Sequence, residues 1–73
     1  MELNLRTSQG KAYNCHVPKG ATVGYLKRKL KDQFGIHEEE YHRLVSVGKA
    51  LKDERALRDY HIPPGYIIYI VMK

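Results

Sequence analysis

One cysteine, no tryptophan, one phenylalanine and three prolines leave this 73-residue chain without the usual supports of a very small protein. With Cys15 alone no intrachain disulfide can form, and no CxxC pair or Cys/His cluster offers a zinc site. A lone cysteine suits a reducing compartment, the cytosol or the nucleus. Long hydrophobic runs are also missing. The longest, Tyr66 to Met72, is far shorter than the about 20 residues that a membrane-spanning helix needs. Met1 is followed by Glu2 and alternating polar residues, so no secretory signal is expected and the chain reads as soluble. Acidic residues are the scarcer sign: 8 against 13 Lys and Arg, a net charge of +5. That balance favours acidic partners, whether nucleic acid, anionic lipid or an acidic protein surface, without choosing among them.

So short a chain has room for one compact domain, residues 1–73, and it buries only roughly 60–65% of its unfolded surface. Function therefore has to sit on the surface, and the core has to come from whatever apolar periodicity the sequence carries. ELNLR and AYNCHV both alternate polar with apolar, and the TSQGK segment between them supplies a turn at Gly10, so two antiparallel strands are expected. On that reading Leu3, Leu5, Tyr13, Cys15 and Val17 face one way. Val23, Leu26, Leu30 and Phe34 then recur at three or four residues, the stripe of a helix over Val23–Phe34. Thr22 is placed as its N-cap, Gly35 as its left-handed C-cap, and Ile36 folds back onto the last turn.

YHRLVSV reads as a third strand, with a turn at Gly48–Lys49 and a brief continuation at Ala50–Leu51. From Lys52 to Pro64 neither strand nor helix period survives. Leu57, Tyr60 and Ile62 look like pegs that pin an irregular, charged crossover onto the core. Pro63, Pro64 and Gly65 punctuate, and YIIYIVM makes a last strand. The expected class is α+β: a mixed sheet of four to five strands with one helix packed across one face.

These residues resemble ubiquitin and its relatives, the β-grasp ubiquitin-like domains, over essentially the whole chain. The likeness is carried by Thr7, Gly10 and Lys11 in the first turn, the Thr22-led helix closing on Gly35–Ile36, and the ordered series Gly48–Lys49, Leu51, Asp53, Arg55, Leu57, Asp59–Tyr60 and Ile62. It implies that Tyr60 buries its ring and bonds the backbone of the crossover. It also implies a receptor-binding patch on the uncovered sheet face, with Val45, Tyr69 and Val71 as members. Alternation independently turns Ile67, Tyr69 and Val71 outward when Ile68 and Ile70 point in. Arg6, Arg43, Lys49 and Lys73 stand around that patch as a basic rim. Ser8 occupies the place of a patch leucine of ubiquitin, Ser46 that of a common large aromatic, and HEEEY holds one extra residue.

Modifiers of this family end in Gly-Gly, whereas this chain closes on Val71-Met72-Lys73, so the resemblance points to an integral, non-conjugated domain. A truncated modifier is the alternative. Gly48-Lys49-Ala50-Leu51 with Leu57, Asp59–Tyr60 and Ile62, together with Val17–Pro18, is similar to the ubiquitin-like component of the tail-anchored-protein targeting complex, which docks an acidic co-chaperone. The implied partners are a ubiquitin receptor, a proteasome subunit or a co-chaperone.

Catalysis is not expected. Cys15 and His16 are neighbours on a strand and point to opposite faces, so they cannot pair as thiolate and imidazole. His37, His42 and His61 show no metal spacing, and no cofactor is expected. The rival binding class is nucleic acid, held by the basic surface and stacked on Tyr41, Tyr66 and Tyr69. Against it, no RNP-like, KH or helix-turn-helix signature is present, and acids are interleaved with the bases.

Overall fold

The computed structural model describes residues 1–63 and 65–73. Its sheet runs in the order β2-β1-β5-β3-β4, built from β1 (Glu2–Thr7), β2 (Ala12–His16), β3 (Tyr41–Ser46), β4 (Lys49–Ala50) and β5 (Ile67–Met72). The parallel pair β1–β5 lies in the middle, with antiparallel partners outside it. The helix α1 (Val23–Phe34) sends Val23, Leu26 and Leu30 into a core shared with Leu3, Leu5, Cys15, Val17, Leu44, Ile68 and Ile70. Strand alternation decides which side chains enter it. On β1 the pattern is strictly exposed then buried, so Leu3, Leu5 and Thr7 turn in while Glu2, Asn4 and Arg6 turn out. Tyr13 stays half-buried, its ring 4.8 Å from that of Phe34.

Both helix caps follow from the sequence. Thr22 holds an extended backbone and its hydroxyl accepts the Tyr25 N–H at 3.1 Å, which satisfies one orphan donor of the first turn. Gly35 takes φ 69°, and the N–H groups of Gly35 and Ile36 turn back to the carbonyls of Lys31 and Leu30. A side chain at that φ is strained, which is why glycine ends the helix.

The charged crossover is more ordered than its sequence suggests. Its carbonyls at Arg55 and Asp53 accept the first helical N–H groups, those of Val23 and Gly24, at 2.9 and 3.0 Å. Leu57 N–H returns to Ala21 at 2.9 Å. The crossover therefore caps the helix from outside, and this bonding fixes it without a long period of its own. Leu57 is buried, and Tyr60 and Ile62 pack partly buried against the core. Tyr60 Oη accepts the Lys52 N–H at 2.8 Å. Where no period was expected, Leu57–Tyr60 form a 3-10 turn, a form too short to leave one.

Other expectations need correction. Tyr41 is not an exposed stacking platform: it is 3% exposed and belongs to the core. A register irregularity between Tyr41 and Arg43 is the reason, since a bulge shifts the parity of β3 so that Tyr41 turns inward in place of His42. The hairpin loop is Val47–Gly48, so β4 starts at Lys49, one residue earlier than expected. Both loop residues have positive φ, 48° and 73°, as a type I′ turn requires. The part of the Pro63–Gly65 punctuation that falls on Pro64 lies outside the described residues.

Candidate protein-docking face

The face of the sheet away from α1 is built by register. Arg6 on β1 stands beside Tyr69 on β5, Tyr69 opposite Val45 on β3, and Val45 opposite Ala50 on β4. Residues directly opposite across a ladder project to the same side. The result is one row across four strands, Arg6, Tyr69, Val45, Ala50, that begins on a cation and continues apolar. A second row pairs Val71 with Arg43, and a third sets Ile67 beside Asn4. Tyr69 keeps 46% of its surface exposed, while Val45, Val71 and Ile67 are half-buried and Arg6, Arg43 and Ala50 exposed.

The two arginines stand at opposite ends of adjacent rows, diagonally across the apolar centre. Among the described residues no carboxylate lies within ion-pair distance of Arg6, Arg43 or Lys49. Glu2, on the same face of β1 as Arg6, is engaged with His16 at 2.8 Å across the β1–β2 pair. Lys49 is placed differently from the other rim residues. It stands opposite the buried Ser46, so by register it projects to the helix side of the sheet, and it is exposed because β4 is the edge. Ala50 is the outer neighbour of Val45 that sequence reasoning missed. The two-residue loop was the available signal, because it fixes Ser46 opposite Lys49 and Val45 opposite Ala50.

Ion pairing is concentrated on the other side, where Lys27 bridges Asp53 of the crossover and, at 3.5 Å, Glu38. Burial alone would lower the Lys27 pKa, but the hydrogen bond and charge of Asp53, with Glu38, outweigh it and raise it. Nearby, burial, with Glu38 and Asp53 adding to it, pushes the Tyr41 phenol up to about 12, and its hydroxyl has no hydrogen-bond partner among the described residues. Burial likewise raises the Cys15 thiol, against an opposing effect of Lys29. A thiol held protonated and enclosed is a poor nucleophile, and His16 leaves the opposite face to meet Glu2. His37, His42 and His61 are all exposed.

Among the described residues no group of three or more His, Cys, Asp or Glu could hold a metal ion. A concavity of about 440 Å³ is an open depression on the solvent side of α1 lined by Tyr25, Arg28, Lys29, Asp32 and Gln33. No helix is long and apolar enough to cross a membrane among the described residues.

A five-stranded mixed sheet gripping one helix, with its first and last strands parallel at the centre, is the β-grasp architecture of a ubiquitin-like domain. The chain belongs to the ubiquitin family, whose sequence profile matches residues 3–73. It is similar to Ubiquitin-like protein 4A of Xenopus tropicalis, 34% identical over 73 residues that cover all of this chain and 49% of that protein. The Homo sapiens protein of the same name is 32% identical over the whole of this chain, which spans 46% of it. Ubiquitin-like domain-containing protein CIP73 of Lotus japonicus is 27% identical over the same 73 residues, 10% of its length. The chain thus spans half or less of the length of these relatives.

Proposed function

We propose that this chain is a non-catalytic protein-interaction module that docks a partner on the outer sheet face. Tyr69, Val45 and Val71 enter the partner's hydrophobic helix or groove, while Arg6 and Arg43 meet carboxylates at the rim and Lys49 adds charge from the edge strand. The observation that carries this reading is the row Arg6, Tyr69, Val45, Ala50, which sets an exposed aromatic between apolar neighbours and a cation with no acid in ion-pair distance among the described residues. Exposed apolar clusters of this kind mark interaction sites, and a charged rim steers and orients what binds. The fitting partners are proteins with an acidic surface, of the ubiquitin-receptor, proteasome-subunit or co-chaperone type. We infer in addition that the module works in the cytosol or nucleus, as the lone, buried Cys15 supports, and within a longer protein, as the greater length of its relatives supports.

The test is quantitative mass spectrometry of proteins captured from cell lysate by the wild-type domain and by a folded Val45→Ala/Tyr69→Ala double variant. Proteins lost with the variant identify the partner and support the face. Equal recovery by both sinks the reading, and recovery abolished by nuclease promotes nucleic-acid binding in its place.

A further inference from the structure

Two serines hold β5 by its ends. At one end, Ser8 Oγ accepts the Met72 N–H at 2.9 Å, while the Ser8 N–H donates to the Ile70 carbonyl at 3.0 Å. At the other, Ser46 is 1% exposed and its Oγ donates to the Ile67 carbonyl at 3.0 Å. Ile67 and Met72 are the first and last residues of the strand. One hydroxyl acts as acceptor and the other as donor, and each satisfies a backbone group of β5 from a neighbouring strand or turn. Such ties oppose fraying where a strand opens most readily.

Their positions relate them to the docking face. Two residues on from the Arg6 and Tyr69 pair, the parallel register brings Ser8 level with Val71. Ser46 directly follows Val45 on β3. A larger apolar residue at position 8 would widen the exposed patch beside Val71, and a larger one at position 46 would lose the bond to Ile67. Ser8 trades contact area for a fixed strand, while the buried Ser46 fixes the strand from the core side.

We propose that Ser8 and Ser46 are positioning residues of the docking face. They present Tyr69 and Val71 as a narrow, rigid ridge and select partners that read β5 over partners that need an apolar side chain on the adjoining turn. Holding a binding strand in place reduces the ordering cost of association. This inference rests on the docking role proposed above.

The experiment measures backbone amide hydrogen exchange and carbonyl carbon shifts by NMR in Ser8→Ala, Ser8→Thr and Ser46→Ala, and titrates wild type, Ser8→Ala and Ser8→Leu with a synthetic amphipathic helix carrying a leucine stripe flanked by glutamates. Exchange at Met72 should accelerate roughly five- to tenfold in Ser8→Ala, the scale of one lost hydrogen bond, and return to the wild-type rate in Ser8→Thr. The Ile67 carbonyl resonance should move in Ser46→Ala and stay put in Ser8→Ala. Ser8→Leu loses the bond to Met72 but adds apolar contact, and on balance should bind the helix about fivefold tighter than wild type. Ser8→Ala, which only loses the bond, should bind it roughly two- to fivefold more weakly, and unchanged binding by Ser8→Ala overturns the positioning role. Unchanged Met72 exchange in Ser8→Ala, or an unmoved Ile67 carbonyl in Ser46→Ala, overturns the clamp. Absence of a gain in Ser8→Leu overturns the selection. If that gain survives Val45→Ala/Tyr69→Ala, the docking face itself is refuted, while the exchange results still judge the clamp.

Discussion

Tyr60 Oη accepts the backbone N–H of Lys52 at 2.8 Å, eight residues back along the chain. This bond closes the crossover upon itself, while Leu57 anchors the same segment in the core. Tyr60→Phe keeps the ring and deletes the acceptor, so it should cost about 1 kcal/mol of stability. Urea unfolding of the two proteins checks this, with a lowered midpoint at an unchanged slope as the expected result.

Tyr41 poses the opposite case, a buried hydroxyl with no partner among the described residues. Removing an unsatisfied buried polar group recovers its desolvation cost, so Tyr41→Phe should stabilise the fold by about 1 kcal/mol. A Tyr41→Phe protein less stable than wild type at neutral pH would mean that the hydroxyl is satisfied.

The same residue sets a pH dependence. The folded-state pKa of Tyr41 is raised to about 12, above the roughly 10 of an unfolded tyrosine. Between these values the folded chain keeps a proton that the unfolded chain has lost, so stability falls as pH rises. The raised pKa of Lys27 acts in the same direction: its contribution is complete below the ordinary lysine value and is lost as pH climbs through the folded one. Thermal melts from pH 9 to 12 should show a steep decline in wild type and a shallower one in Tyr41→Phe.

Val47 is a β-branched residue at φ 48°, followed by Gly48 at 73°. Left-handed backbone costs roughly 1–2 kcal/mol for an ordinary L-residue, and a type I′ turn favours Asn-Gly. Val47→Asn should therefore raise stability by about 0.5–1 kcal/mol, read as a higher midpoint in chemical denaturation. A drop would show that the half-buried valine side chain contributes more than the strain removes.

Leu30 and Tyr69 separate stability from binding. Leu30 is fully buried, and Leu30→Ala should cost roughly 2–5 kcal/mol through the cavity it leaves. Tyr69 is among the exposed large residues, so Tyr69→Ala should leave the melting temperature nearly unchanged. If Tyr69 is the central anchor of the docking face, its loss should weaken partner binding by about 2 kcal/mol or more. Calorimetric melts alongside titration of the captured partner distinguish the two effects.

What could be read in advance was whatever repeats or caps. The helix appears at Val23–Phe34 with Thr22 and Gly35 as caps, because a 3.6-residue stripe and two terminal residue types all agree there. Strict alternation likewise set the faces of β1 and β5. Tyr41 escaped because an irregular register overrides parity, and Ala50 because the loop fell one residue earlier than Gly48–Lys49 suggests. The crossover left no pattern because its order comes from bonds to the helix start, made between residues about thirty positions apart. The roles of Ser8 and Ser46 were invisible for a related reason. A serine in a turn or strand reads as a lost apolar contact until its hydroxyl is seen to meet a particular backbone group.

The adjacency of β1 and β5 also governs the order of events during synthesis. Among the strands of this sheet β1 is made before the others and its central partner β5 after them, and β3 reaches the rest of the sheet only through β5. A nascent chain ending before Ile67 holds one hairpin, a helix and a stranded second hairpin, with Leu5 and Leu44 lacking the wall that Ile68 and Ile70 supply. The two hairpins therefore join only once β5 is made, and the edges of β1 and β3 stay open to chaperones or to misplaced strands until then.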